Sequence, residues 1–212
     1  KARGEKVLSF VRGSIVGREE AAEGPFGRRR VVYADYVASG KPLHCVEDYL
    51  REEVMTLYAN THTTTSTTGL QSTLFREEAR AIIHRCVRAG KDDAVLFTGS
   101  GATGALNKLV AVLGLRKRCN FPEESRRGTP LDTWPAVLVG PYEHHSNLLP
   151  WRDSLCTVHV VREDTEKGGV DIKHLENELQ AIRKSKGGDR RMIIGAFSAA
   201  SNVTGILCDT KG

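Results

Sequence analysis

A chain of 212 residues, 40% hydrophobic and 27% charged, has the composition of an ordinary soluble globular protein and the length of one large α/β domain or two small ones, which excludes disorder of the whole. The net charge of +5 comes partly from three clusters, Arg28-Arg29-Arg30, Arg116-Lys117-Arg118 and Arg126-Arg127, and none is interleaved with aromatic residues as a single-strand nucleic-acid platform requires. Five dispersed cysteines without a C-x-x-C pair exclude a disulfide framework and a zinc ribbon, and no run approaches the about 20 apolar residues of a membrane span. The expectation is a reducing, cytoplasmic compartment with no nucleic-acid or membrane partner, and any targeting segment would lie upstream of Lys1. The start at Lys1 and the stop just after an apolar run read as a piece of a longer protein.

Residues 1–30 mix Gly, Arg and Glu around Val7-Leu8-Ser9-Phe10-Val11 and predict an irregular lead-in with one helical turn. Order is expected from Val31 onward, as one domain over residues 31–212. Val31-Val32-Tyr33-Ala34-Asp35 reads as a short strand, and Leu43, Val46, Leu50, Val54 and Leu57 stand at helical spacing between Leu43 and Tyr58. A polar loop, Asn60 to Gly69, is followed by a helix over about Ser72–Ala89 with Leu74, Ala81, Ile82 and Val87 inward and Gly90 as its stop. A buried-type strand, Ala94-Val95-Leu96-Phe97, runs into Gly99-Ser100-Gly101-Ala102-Thr103-Gly104, and a helix extends from Thr103 to Leu115. After a basic, Pro-containing insertion (Arg116 to Trp134) come strands at Ala136–Val139, Thr157–Val161 and Met192–Phe197, with a helix from Ile172 to about Lys184. Strands alternating with helices predict an α/β fold with a mostly parallel sheet.

Ligands of such sheets collect at the carboxyl ends of strands, where helix N-termini direct exposed N–H groups at the guest. The glycine loop has that layout, with hydroxyls at Ser100 and Thr103, and a phosphate is its natural ligand. Taken alone, Gly99, Gly101 and Gly104 also satisfy the G-x-G-x-x-G of a Rossmann-like NAD or nucleotide module, although the Cys119–Ser125 region offers acids without the second strand that module needs. A tight turn without a ligand is the third reading. After the next strand, His144-His145 can stack on an aromatic cofactor or move protons, while a lone His pair is more often a surface or core feature. No third ligand stands at metal-binding spacing, so no metal is expected. Asn202 follows the last strand, where it is either a placed amide donor or an ordinary turn residue.

In this order, the segments resemble the class V aminotransferase family of fold-type I pyridoxal 5'-phosphate (PLP) enzymes, which includes cysteine desulfurases, selenocysteine lyases and isopenicillin-N-epimerase-like proteins. The likeness begins at Tyr33-Ala34-Asp35-Tyr36-Val37-Ala38-Ser39 and covers roughly the N-terminal half of such an enzyme. It implies a three-layer, aspartate aminotransferase-like large domain, incomplete in this chain. It also implies PLP as cofactor, an amino acid as substrate and a homodimer as the assembly. Carried over by position, Gly101, Ala102 and Thr103 hold the phosphate, His144 stacks on the pyridine ring as the catalytic imidazole, and Asn202 bonds the phenolic oxygen. Ala38, Ser39, Asn60 and His62 face the substrate. The desulfurase-like branch continues its Asn-x-His with Arg-Gly, where this chain has Thr63-Thr64.

The family's ring-nitrogen Asp and Schiff-base Lys belong to positions after Ile206-Leu207. Asp209 and Lys211 come too early for those roles, and Lys211 lacks the surrounding Ser-x-His-Lys character. The fragment alone is therefore expected to be inactive. A family member that keeps the fold only as a dimerisation scaffold is a further reading.

Overall fold

A helix, α1 (Ala2–Gly13), and an antiparallel hairpin of β1 (Ala21–Gly24) and β2 (Gly27–Arg30) occupy the first thirty residues of the computed structural model, in place of the irregular lead-in that the sequence predicts. The structure describes residues 2–116, 134–185 and 187–210. The hairpin escapes detection because its strands are exposed on nearly every residue, so they carry no alternating apolar pattern. It is made by pairing instead: Ala21 opposes Arg30, Gly27 sits at φ +83, and Arg30 reaches the Arg18 carbonyl and the Glu19 carboxylate.

The chain divides into two compact units, Lys1–Leu96 and Phe97–Gly212. In the first, the strand expected at 31–35 does not form. Only Val31 extends the hairpin's bonding, through its N–H to the Glu20 carbonyl, and the Tyr33 hydroxyl then closes a turn onto the Asp35 and Ser39 carbonyls. The helix predicted over 43–58 forms with changing pitch: α2 (His44–Tyr49) passes into a π-helical stretch (Leu50–Val54) and a 3-10 turn (Met55–Leu57).

The 20-residue α3 (Thr67–Cys86) starts ahead of Ser72 because Ser66 caps it, its hydroxyl accepting the Gly69 N–H at 3.2 Å. Arg88, at φ +56, turns the chain out of this helix before Gly90 is reached. Leu74 and Ile82, expected to point inward, are 46% and 50% exposed. The apolar spacing of α3 is genuine, but no described element of this unit covers it.

The second unit carries the core. Its strands β3 (Ala136–Val139), β4 (Thr157–Val160) and β5 (Ile193–Ala196) pair in the order β4-β3-β5, all parallel, with Ala136 level with Thr157 and Ile193. Among the described residues, three helices flank them: α4 (Gly101–Val112), α5 (His145–Arg152) and α6 (Ile172–Lys184). Successive residues of β3 face opposite sides. Val137 and Val139 pack with Val110 of α4, Trp151 of α5 and Ala196, while Ala136 and Leu138 pack with Ile182 of α6 and Val161. The result is helix, sheet and helix in three layers around a fully buried central strand, as expected for the α/β class.

The apolar residues Leu175, Leu179 and Ile182 give α6 one buried stripe, Asp171 caps it by accepting the His174 N–H at 3.0 Å, and Arg183 and Lys184 complement its C-terminal dipole. The apolar run at 94–97 pairs with no strand among the described residues, and Leu96 and Phe97 are half or more exposed. Most of the predicted basic insertion, residues 117–133, lies outside the described residues, as do Cys119 and Lys211.

Candidate active site

The glycine loop enters α4 through two left-handed residues, Ser100 at φ +61 and Gly101 at φ +62. That turn starts the helix at Gly101 and leaves the N–H groups of its first turn, Gly101, Ala102 and Thr103, directed out of the helix end without intrahelical acceptors. Gly104 is the sterically obligatory glycine: a Cβ there would stand 1.8 Å from the Gly99 carbonyl oxygen. The helix is anchored behind the loop, since Leu106 and Val110 join the core cluster around Trp151. Thr103 itself is exposed, and its carbonyl accepts the Asn107 side-chain amide at 2.9 Å.

His144 and Asn202 follow the carboxyl ends of the adjacent parallel strands β3 and β5, so pairing brings them to the same edge of the sheet. His144 is the N-cap of α5. Its Nδ1 accepts the Ser146 N–H at 3.1 Å, with the Ser146 hydroxyl at 2.8 Å, so the ring proton lies on Nε2. The His145 ring is tilted, 6.3 Å away. Asn202 sits on an exposed turn built by buried Ser201, whose hydroxyl accepts the Val203 and Thr204 N–H groups. No hydrogen bond among the described residues engages the Asn202 amide.

Directly before His144 stands a residue that no sequence pattern marks. Glu143 accepts the Ser198 N–H at 2.7 Å, the Ser198 hydroxyl at 2.6 Å and the Asn147 amide at 2.6 Å. Asn147 continues the chain of bonds to the indole of buried Trp151 at 3.4 Å. No local signal marks Glu143, because its role depends on β3 and β5 being neighbours.

Two further groups shape this edge. The Tyr142 hydroxyl donates to the Glu163 carboxylate, which holds the phenol above its usual value, and accepts the Gly169 N–H at 3.2 Å. In the loop after β4, Asp164 accepts the Lys167 and Glu166 N–H groups and is thereby held below the usual carboxylate value. A cavity of about 550 Å³ opens beside Ser198 and Ala199, walled by Phe197, Ile172, Leu175 and Leu207. His144 and Asn202 do not line it.

The expected substrate-side residues all lie in the first unit. Ala38 and Ser39 stand exposed on the turn fixed by Tyr33, where their N–H groups bond the Asp35 carbonyl. Asn60 and His62 lie on a loop folded onto α3: Ala59 N–H meets the Ser72 hydroxyl, and His62 N–H meets that of Thr73. His62 itself is at φ +72. Arg76 donates to its Nε2 at 3.3 Å, so Nδ1 carries the proton and faces the Thr61 hydroxyl at 2.8 Å. Arg76 is thus a second residue seen only in the fold. No hydrogen bond among the described residues joins the Ala38-Ser39 turn to the Asn60 loop.

A parallel sheet between helix layers, with a glycine-opened helix end and polar strand-end loops, defines an α/β ligand-binding architecture. The class V aminotransferase model matches residues 32–212, and the chain belongs to that family. It is 32% identical over 191 residues to a probable cysteine desulfurase of Halalkalibacterium halodurans and 29% identical over 184 residues to one of Pseudomonas aeruginosa, covering 85% of this chain and 40% of the relative in each case. The structure of a cysteine desulfurase from Thermococcus onnurineus shares the fold at a TM-score of 0.65 and 20% identity, over 94% of this chain and 42% of that one.

The chain thus spans about two fifths of the length of these relatives. The dinucleotide reading of Gly99, Gly101 and Gly104 finds no support: the loop lies inside the family match, and the strand that must precede such a fingerprint does not form at 94–97. No described helix is long and apolar enough to cross a membrane.

Proposed function

We propose that the protein is a PLP-dependent, desulfurase-like enzyme acting on an amino acid as a homodimer, and that this chain supplies its phosphate cradle and one face of its ring site. Enzymes of this family use PLP, and the residues here fit it. The observation that carries the reading is the start of α4, where a left-handed Ser100-Gly101 turn and a Gly104 with no room for a side chain leave three N–H groups free for an anion. PLP supplies an electron sink for charge developing at the substrate's Cα or Cβ.

In this reading Gly101, Ala102 and Thr103 bind the phosphate through backbone N–H groups and the Thr103 hydroxyl. His144 would stack against the pyridine ring, and it holds a proton at Nε2, the nitrogen its cap bond leaves free, from which it could serve a reacting group. Asn202 offers its unengaged amide to the phenolic oxygen. Ala38, Ser39, Asn60 and His62 form the substrate side.

Titrating the chain with PLP and following its absorbance and the quenching of tryptophan fluorescence tests the reading. Saturable binding, displaced by inorganic phosphate and weakened in Thr103→Ala, is expected. Binding of NADH without binding of PLP would overturn it.

A further inference from the structure

Glu143 is only half-buried, yet its carboxylate accepts three hydrogen bonds of 2.6–2.7 Å, two of them from Ser198, 55 residues further along the chain. Bonds to an ionised acceptor are among the stronger ones in proteins. Two features indicate that the arrangement is built rather than incidental. Gly140 makes space for it, since a Cβ there would stand 2.7 Å from Glu143 Oε1. Asn147, the third donor, also bonds the indole of Trp151, which is 1% exposed, so the carboxylate is tied to the rigid core on one side and to the loop after β5 on the other.

We infer that Glu143 is a positioning residue, which clamps the loop after β3 to the loop after β5 and so fixes where His144 presents its ring and where the Asn202 turn begins. The inference rests on the functional reading above, which places both residues against the cofactor. Asn147 is the link to His144: its N–H donates to the His144 carbonyl at 2.8 Å while its side chain holds Glu143. The clamp thereby steadies the first turn of α5, where the Ser146 N–H selects the imidazole tautomer. Ser198 begins the Ser198–Ser201 segment that leads into the Asn202 turn. Glu143 is given no proton transfer in this scheme; its part is to hold the Ser198 and Asn147 donors in place.

The test uses Glu143→Ala, Glu143→Gln, Asn147→Ala, Ser198→Ala and Thr103→Ala in the chain, with two readouts. The first is PLP affinity; the second is the ¹⁵N spectrum of the His144 imidazole without PLP, which reports the tautomer directly. Glu143→Ala is expected to weaken PLP by about tenfold or more and to turn the fixed Nε2–H spectrum of His144 into an averaged one. Glu143→Gln, whose NH2 must face either the Ser198 N–H or the Asn147 amide donor, should restore only a small part of both. Adding Ser198→Ala to Glu143→Ala should cost little more, since the bonds are already gone.

Thr103→Ala should weaken PLP yet leave the His144 spectrum unchanged. An unchanged His144 spectrum in folded Glu143→Ala would overturn the inference, whatever happens to binding. Should that variant fail to fold by circular dichroism, Asn147→Ala, which cuts the link from Glu143 to His144, is read by the same criterion. If the unsubstituted chain does not bind PLP, the functional reading fails, and the His144 spectrum alone decides whether the clamp exists.

Discussion

Glu143 and Ser198 meet twice across the carboxyl edge of the sheet, the carboxylate accepting both the backbone N–H at 2.7 Å and the hydroxyl at 2.6 Å of the same residue. Such a double contact fixes both distance and orientation between the loops leaving β3 and β5. It also ties the consequences of several substitutions together.

Gly140→Ala is the most direct case. Its Cβ would press on Glu143 Oε1 at 2.7 Å and on the Phe197 ring at 3.3 Å. The carboxylate end can rotate away, but doing so breaks the clamp. A loss of about 1–3 kcal/mol is expected from stranding its donors, read from urea unfolding. In a Glu143→Ala background the same glycine substitution should cost much less, because only the Phe197 contact remains.

The two glycines of the phosphate loop should respond differently. A Cβ on Gly101 meets nothing within 4 Å, so Gly101→Ala bears only the strain of a left-handed residue, about 1–2 kcal/mol. A Cβ on Gly104 lands 1.8 Å from a backbone oxygen, which no side-chain rotation relieves. Gly104→Ala should therefore be the more destabilising and should abolish PLP binding. Denaturation midpoints and PLP titrations of the two variants check the order.

Trp151 is 1% exposed beneath α4 and β3, and Trp151→Ala should cost about 3–5 kcal/mol of stability. Leu74→Ala, on the 46% exposed face of α3, should cost only a small fraction of that. Comparable losses at the two positions would show that the first unit buries that face in solution.

Asp164 carries a pH signature. The Lys167 and Glu166 N–H groups favour its ionised form in the folded chain, so its pKa there is depressed. Its contribution to stability is present above the ordinary carboxylate value and disappears as pH falls through the depressed one. Asp164→Ala should be less stable than the parent at pH 7, and the gap should close in strong acid. Thermal melts across that range decide it. A gap that persists at the acid end would mean that the turn does not depend on the charge.

What was legible along the chain follows a physical rule. Strand β3 and helix α6 appear over the residues predicted, because an all-apolar run and a capped stripe of Leu175, Leu179 and Ile182 each satisfy their burial locally. The hairpin of β1 and β2 was missed because its Arg-rich strands are held by each other and not by a buried face. The strand expected at 94–97 had the right composition, but composition supplies no partner, and an unpaired apolar run does not become a strand.

The site divides along the same line. His144, Asn202 and the Gly101-Ala102-Thr103 turn could be proposed from sequence, since each stands next to the element that presents it and the family pattern keeps their order. Glu143 and Arg76 were not, because each acts on a residue distant in sequence: Ser198 across two strands, and His62 from the next helix. The sequence by itself determined the family, the three-layer class and the residues at strand ends, because local hydrophobic period and turn chemistry are written in consecutive residues. Only the tertiary structure decided which strand ends are adjacent and which carboxylate joins them, because strand order is settled by packing between segments that carry no record of one another.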